Sequence, residues 1–311
     1  MQIAGSKSPQ RQSVRFAAFL IASVAFASLP FTPAAAATLD QVKASGKLLL
    51  GYRADARPFS YDESGKAAGY TVALCEKVAD DLKTGLGLSA LTVEWVPVTP
   101  EDRFQALESG KVDILCGADT VTLDRRKAVS FSIPIFPSGI GALVRWDTPP
   151  PLREVLSGQP TSGPIWRASP ALILSKKTFS AVAGTTGETW LTGRLEKFKI
   201  DATALPVESY DAGIQSVLDR KSDVFFGDRP ILMAVAQGGP SAEQLIVLDR
   251  LFTHEPLGLA IRRNDDDLRL AVDRSLSGLF RSEAFRDLYV KWFGEPDEST
   301  LAFFRQSALP E

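Results

Sequence analysis

Four short segments of this chain place charged side chains where the backbone can also offer hydrogen bonds. The first is Asp113-Ile114-Leu115-Cys116-Gly117-Ala118-Asp119-Thr120-Val121-Thr122-Leu123-Asp124-Arg125. A strand-like run ends there at Cys116, Gly117 lets the backbone approach a ligand closely, and Thr122 can cap a short turn that sets Arg125 beside the strand end. Ligands of open α/β sheets sit at the carboxyl ends of strands. A guanidinium in that place holds a carboxylate through two parallel hydrogen bonds, which a lysine does less well. The competing reading of Arg125 is a surface ion pair with Asp119 or Asp124.

The second segment, Ala183-Gly184-Thr185-Thr186-Gly187-Glu188, stands between a strand and a helix. Free backbone N–H groups at a helix start bind anions, although Gly and Thr also cap helices for structural reasons alone. In the third, Val224-Phe225-Phe226-Gly227-Asp228-Arg229-Pro230, an acid ends a strand before a helix that opens on proline. Asp228 is either a helix cap or a buried acceptor for an ammonium group. The fourth, Gly51-Tyr52-Arg53-Ala54-Asp55-Ala56-Arg57-Pro58-Phe59-Ser60-Tyr61, offers Arg53 to a ligand and Phe59 or Tyr61 as an apolar wall. The plainer reading is a loop anchored by its aromatics.

The elements needed to position these groups alternate between strand and helix, which predicts an α/β fold. Strands are expected at 47–52, 91–98, 112–116 and 129–135, with a helix at 70–83 and a short one around Phe104 and Leu107. The Pro- and Gly-rich stretch between Arg145 and Gly163 reads as a surface connection. A second unit repeats the pattern with strands at 179–183, 204–207, 223–226 and 245–248 and helices at 188–198, 211–218 and 230–237. A strand at 257–261 and helices at 266–279 and 283–293 close the chain.

The 311 residues carry 35 Lys and Arg against 37 Asp and Glu, with one His and two Cys. One His and two Cys cannot assemble the usual nitrogen and sulfur ligand sets of zinc, iron or copper, so no metal and no cofactor are expected. Residues 1–37 combine a basic start (Lys7, Arg11, Arg15), an apolar run and Pro33-Ala34-Ala35-Ala36-Ala37, the parts of a cleavable secretory signal. Its removal leaves a net charge of −5, which disfavours a nucleic-acid partner. Export permits a disulfide. Cys75 lies on the apolar face of the helix beginning at Tyr70, and Cys116 ends a strand, so the two are either a bonded pair or two separate buried thiols.

In this order and spacing the chain resembles the family 3 solute-binding proteins, the periplasmic amino-acid receptors of ABC importers. The matching pieces are Arg57 to Tyr61, Gly69 to Cys75, Asp102-Arg103, Gly110 to Asp113, Cys116-Gly117, Thr120 to Arg125, Val129 to Ser132, Gly184 to Thr186, Gly227-Asp228 and Tyr289 to Gly294. The resemblance implies a periplasmic-binding-protein type II fold of two α/β lobes joined by two crossing strands near Gly139–Ala142 and Glu255–Ala260. Lobe 1 would comprise residues 38–139 and 261–311, and lobe 2 residues 140–260. It further implies a ligand α-carboxylate held by Arg125 with help from backbone at Thr120, Thr185 and Thr186, and puts Gly117 and Ala118 among the ligand-binding positions. The α-ammonium would be held by Asp228, and the protein would be a monomer that delivers its ligand to an ABC permease.

The likeness is greatest to the glutamate/aspartate-binding branch at Gly51-Tyr52-Arg53 and Asp102-Arg103, where Arg53 and Arg103 would face a second carboxylate. Pro100 and Ala118 stand where that branch has small hydroxyl residues. An acidic amino acid is therefore the expected ligand, and no enzymatic activity is expected. Two other readings remain: a cyclohexadienyl dehydratase on the same fold, which would need Asp228, Asp211 or Glu188 as a proton donor, and a receptor serving a membrane sensor. A serine hydrolase is disfavoured, since His254 has no Gly-x-Ser-x-Gly partner segment.

Overall fold

The computed structural model describes residues 37–159, 170–238 and 241–311. Residues 1–36 of the expected signal, and Trp166, lie outside these.

One mixed sheet is built on Lys47–Arg53, whose Leu48 and Leu50 are fully buried. Thr92–Val98 and Ile114–Thr120 pair with it in parallel on either side. Glu255–Arg262 then joins the far edge of Ile114–Thr120 in antiparallel fashion and carries Val129–Phe131 and Phe136–Ser138 along its own other edge. The helix Tyr70–Gly85 packs here because Leu74, Cys75, Val78, Ala79 and Leu82 recur at three- and four-residue steps and are all buried. A second sheet has the order Thr203–Val207, Thr178–Val182, Val224–Asp228, Ile140–Arg145, Leu245–Val247. Its first three strands are parallel, and Ile140–Arg145 runs against both of its neighbours.

Three expectations are corrected. The strand expected to stop at Cys116 continues to Thr120, because Asp119 and Thr120 pair with Gly258 and Leu257. The expected strand 129–135 ends at Phe131, and the next strand begins only at Phe136, since Pro134 has no N–H to give and the N–H of Ile133 turns instead to the Asp273 carboxylate at 2.7 Å. The stretch after Arg145 is not all connection: Pro150–Ser157 is a helix that begins at proline, buries Leu152 and Leu156, and stops at Gly158 in the left-handed conformation.

The chain leaves the first sheet at Gly139 and returns to it at Glu255. The two passages lie side by side, with Phe252 N–H donating to Ile140 O at 2.8 Å and Ile140 N–H to Thr253 Oγ1 at 2.9 Å. They are so close that a Cβ on Gly139 would meet Thr253 O at 2.1 Å, so only glycine fits.

Cys75 and Cys116 form a disulfide, tying the helix Tyr70–Gly85 to the strand that leads into Thr120. Closing a loop of 41 residues restricts the unfolded chain and contributes about 4 kcal/mol. Urea unfolding of the Cys75→Ala/Cys116→Ala variant is expected to give a stability lower by about that amount, and an unchanged midpoint would show that the bond does not constrain the unfolded chain.

Candidate ligand site between the two sheets

The end of the strand Ile114–Thr120 faces the start of the helix Thr186–Phe198, with Thr120 Oγ1 and Thr186 Oγ1 3.4 Å apart. Around this pair the charged groups from both sheets converge. Arg125 opens a short 3₁₀ turn, where its N–H donates to Thr122 Oγ1 at 3.1 Å, and its Nη1 reaches back to Thr120 O at 2.9 Å. Asp124 is occupied elsewhere, by Lys127 at 2.7 Å. Burial, with Arg103 nearby, lowers the Arg125 guanidinium to about 10, so it remains charged at neutral pH. The ring of Phe104 lies between the two cations, 4.3 Å from the Arg103 guanidinium carbon and 5.3 Å from that of Arg125.

On the opposite side Asp228 ends its strand and accepts from two hydroxyls, Ser138 at 3.0 Å and Tyr210 at 3.1 Å. Ser138 belongs to the first sheet and Tyr210 to the helix Tyr210–Leu218, so this carboxylate also spans the junction. Burial, reinforced by the charge of Glu255, pushes Asp228 up to about 6, against the pull of Ser138, Tyr210 and Arg125. Glu255 sits beside Ser138 in the strand register and accepts from Thr186 Oγ1 at 3.0 Å.

The expected site residues divide into three groups. Arg125, Thr120, Thr186 and Asp228 are brought together. Arg53 and Arg103 also reach the junction, but each arrives with a carboxylate. Arg53 holds Asp55 through Nε and Nη2 at 2.9 and 2.6 Å, and the other Asp55 oxygen accepts from Tyr210 N–H at 3.3 Å. Arg103 Nε donates to Asp119 at 2.6 Å with both side chains nearly inaccessible, while Nη2 points to Gly184 O at 3.5 Å. Gly117 leaves the space beside this pair: a Cβ there would stand 3.1 Å from Asp119 Oδ2. Ala118 is half-buried against the core of the first sheet.

Thr185 is the helix cap, accepting from Glu188 N–H at 3.4 Å, and Glu188 in turn accepts from Gly184 N–H at 2.9 Å. Neither bond uses the N–H of Thr186 or Gly187. Phe59 is not a cleft wall. Its ring is fully buried among Tyr70, Phe136 and Phe293, because the loop turns inward there to close the core.

Sequence reasoning missed Glu255, Tyr210 and Ser138, which reach the site only through the junction, and it weighed Asp119 only as a competing partner of Arg125, whereas Asp119 pairs with Arg103. A separate hollow of about 290 Å³, lined by Phe179, Trp190, Phe226 and Phe252, has among the described residues Arg194 and Arg250 as its charged residues and no acid. It lacks the opposed charges found here.

The family described as bacterial extracellular solute-binding proteins, family 3, matches residues 48–295. The L-glutamate/L-aspartate-binding protein of Pseudomonas aeruginosa is 26% identical over 289 residues, covering 91% of this chain and 90% of that protein. The glutamate/glutamine/aspartate/asparagine-binding protein of Rhodobacter capsulatus is 29% identical over 266 residues, 85% of this chain and 72% of that one. Among solved structures, an ancestral amino-acid-binding protein described as a precursor of cyclohexadienyl dehydratase is 29% identical with a TM-score of 0.67, covering 83% of this chain and all of that one. The chain belongs to the family 3 bacterial extracellular solute-binding proteins.

A carboxyl held at about 6 when folded and near 3.8 when unfolded keeps a proton in the folded state that the unfolded chain has released. Its contribution is therefore greatest below pH 4 and is lost as pH rises through 6, by about 3 kcal/mol. The stability of the ligand-free protein minus that of Asp228→Asn is expected to fall by this amount between pH 3 and pH 7 in urea titrations, whereas a constant difference would place the carboxyl in a water-like setting.

Proposed function

We propose that this family 3 solute-binding protein is a periplasmic receptor that captures a polar amino acid between its two sheets and delivers it to an ABC permease. The observation that carries the reading is the opposition of Arg125 and Asp228, one from each sheet, across the Thr120–Thr186 contact. An amino acid carries one charge of each sign on adjacent atoms, and this site offers the complement of both. Arg125 and the unused N–H groups at the start of the helix Thr186–Phe198 receive the carboxylate. Asp228, with Glu255 beside it, receives the ammonium. The residues of the first sheet act as one lobe of a clamp and those of the second as the other.

Hinging then takes place where the passages at Gly139 and Thr253–Glu255 run together. Opening separates Thr120 from Thr186 and Arg103 from Gly184, and wets all the charges. Closing on a ligand excludes water, which strengthens each contact and makes an unpaired charge costly. Ligand and closure are thereby coupled, and a permease can read the closed form. The disulfide is consistent with an oxidising compartment.

The ligand's side chain ends near Arg53 and Arg103. By type these arginines favour an acid, as the relatives' names also do, against which stand Asp55 and Asp119, one on each. The dehydratase reading draws on the raised Asp228, which suits a proton donor. Two hydroxyls directed at this carboxylate favour its ionised form, and hence a role as acceptor. Aromatic product formed from prephenate or arogenate would reverse that judgement.

Amino acids added at about 100 times their dissociation constant to ligand-stripped protein should stabilise it by about 2.7 kcal/mol. A thermal-shift panel of the twenty amino acids is expected to give such a shift for a polar one, and no shift with any would contradict the reading. Arg125→Ala should weaken calorimetric binding of that ligand by about 2–5 kcal/mol, the cost of stranding a buried charged partner, whereas unchanged affinity would remove Arg125 from the site.

A further inference from the structure

We propose that the side-chain end of this site selects an uncharged amide, glutamine or asparagine, over the corresponding acid, with Asp55 and Asp119 as the residues that set the preference. The inference rests on the amino-acid-receptor reading above. Its basis is a count of charges within the junction. Three guanidinium groups, Arg53, Arg103 and Arg125, share it with four carboxyl groups, Asp55, Asp119, Asp228 and Glu255. Arg53 and Arg103 are the two cations left over once Arg125 has taken the α-carboxylate, and neither has charge to spare. Asp55 lies against Arg53 at 2.6 Å and Asp119 against Arg103 at 2.6 Å. The ligand's own α-carboxylate is offset by its ammonium, so an acidic side chain entering here would add an unbalanced carboxylate to a water-poor space already short of positive charge.

An apolar side chain fits no better. Arg103 Nη1 is buried without a hydrogen-bond partner among the described residues, although its neighbours Nε and Nη2 are both directed at acceptors. Asp119 uses Oδ1 on Arg103, while Oδ2 accepts no hydrogen bond among the described residues and lies beside Gly117, where a Cβ would stand 3.1 Å from it. The pair thus presents one spare donor and one spare acceptor with no net charge. A carboxamide supplies the complement of both: its carbonyl oxygen accepts from Nη1 and its NH₂ donates to the carboxylate. A ligand carboxylate can satisfy the donor but meets the Asp119 oxygen as a second acceptor, and leaving a buried polar group opposed in this way is how sites reject close isosteres.

The test is isothermal titration calorimetry of ligand-stripped, disulfide-intact protein with glutamine, asparagine, glutamate and aspartate at pH 7.5. The expected result is that the preferred amide binds at least tenfold more tightly than its acid. Equal or tighter binding of the acid overturns the proposal and leaves the receptor reading standing. So does binding of an amino acid outside these four alone. If folded protein binds no amino acid at all, the receptor reading fails and this one with it. Asp119→Asn frees Arg103 and is expected to move the amide-to-acid affinity ratio at least tenfold toward the acid. Asp55→Asn, at a position more open to solvent, should move it the same way by freeing Arg53 and serves if the buried variant does not fold. An unchanged ratio in a folded variant contradicts the assignment.

Discussion

The structure depends on gathering opposite charges from two sheets in a place that water barely reaches. Arg103 is buried and Arg125 half-buried, both close to the ring of Phe104, and Asp228 and Glu255 are half-buried near one another. Like charges in such positions are tolerable only when the opposite sign is close, since burying an ion without a partner costs several kcal/mol. Internal carboxylates supply the counter-charge for Arg53 and Arg103. Arg125 has a backbone carbonyl and Asp228 has two hydroxyls, which are weaker substitutes for a full charge. The unmet requirement of each is a group that a zwitterion carries, so the same electrostatics that would make closure unfavourable for an empty receptor make it favourable for a loaded one.

The fold keeps this arrangement in register without locking it. Within the first sheet the disulfide fastens the strand carrying Cys116, Asp119 and Thr120 to its covering helix, and a cluster of Phe59, Tyr70, Phe136, Tyr289 and Phe293 fills the core behind the segment that follows Arg53. Rigid positioning of this kind is needed if a displacement of one lobe is to bring Arg125 and Asp228 to the same ligand. Between the sheets, by contrast, the chain crosses only at Gly139 and again before Glu255. Among the described residues hydroxyls and charges meet across the junction at Thr120–Thr186, Ser138–Asp228, Thr186–Glu255 and Asp55–Tyr210, beside apolar side chains of both sheets that belong to one buried cluster. Hydroxyl and charge contacts exchange readily for water, whereas packed apolar surface does not.

Much of this was legible in the sequence because the informative signals are local. Thr122 three residues before Arg125 forecast the turn, and alternation and helical spacing gave most elements within two residues, whereas Gly117 and Gly227 lie inside their strands and do not mark the ends. The failures are where partners are far apart in the chain. Asp119 binds Arg103 at a separation of 16 residues rather than Arg125 six away, and Asp55 meets Tyr210 across 155 residues. Glu255 and Ser138 carried no sign of a site, since their proximity to Asp228 exists only once the crossing strands lie side by side. Phe59 was misread because an aromatic in a polar loop looks the same whether it faces a ligand or turns into the core. Asp55, two residues after Arg53, was a local sign that this arginine arrives already neutralised, while nothing local showed the same of Arg103.

The central claim is that a single small molecule answers both Arg125 and Asp228. The most direct test compares the preferred amino acid by calorimetry with two derivatives that each lose one charge, the N-acetyl form and the carboxyl methyl ester. Each derivative is expected to bind at least a hundredfold more weakly than the parent. Retention of full affinity by either one would contradict the account, because one of the two buried charges would then have no part in recognition.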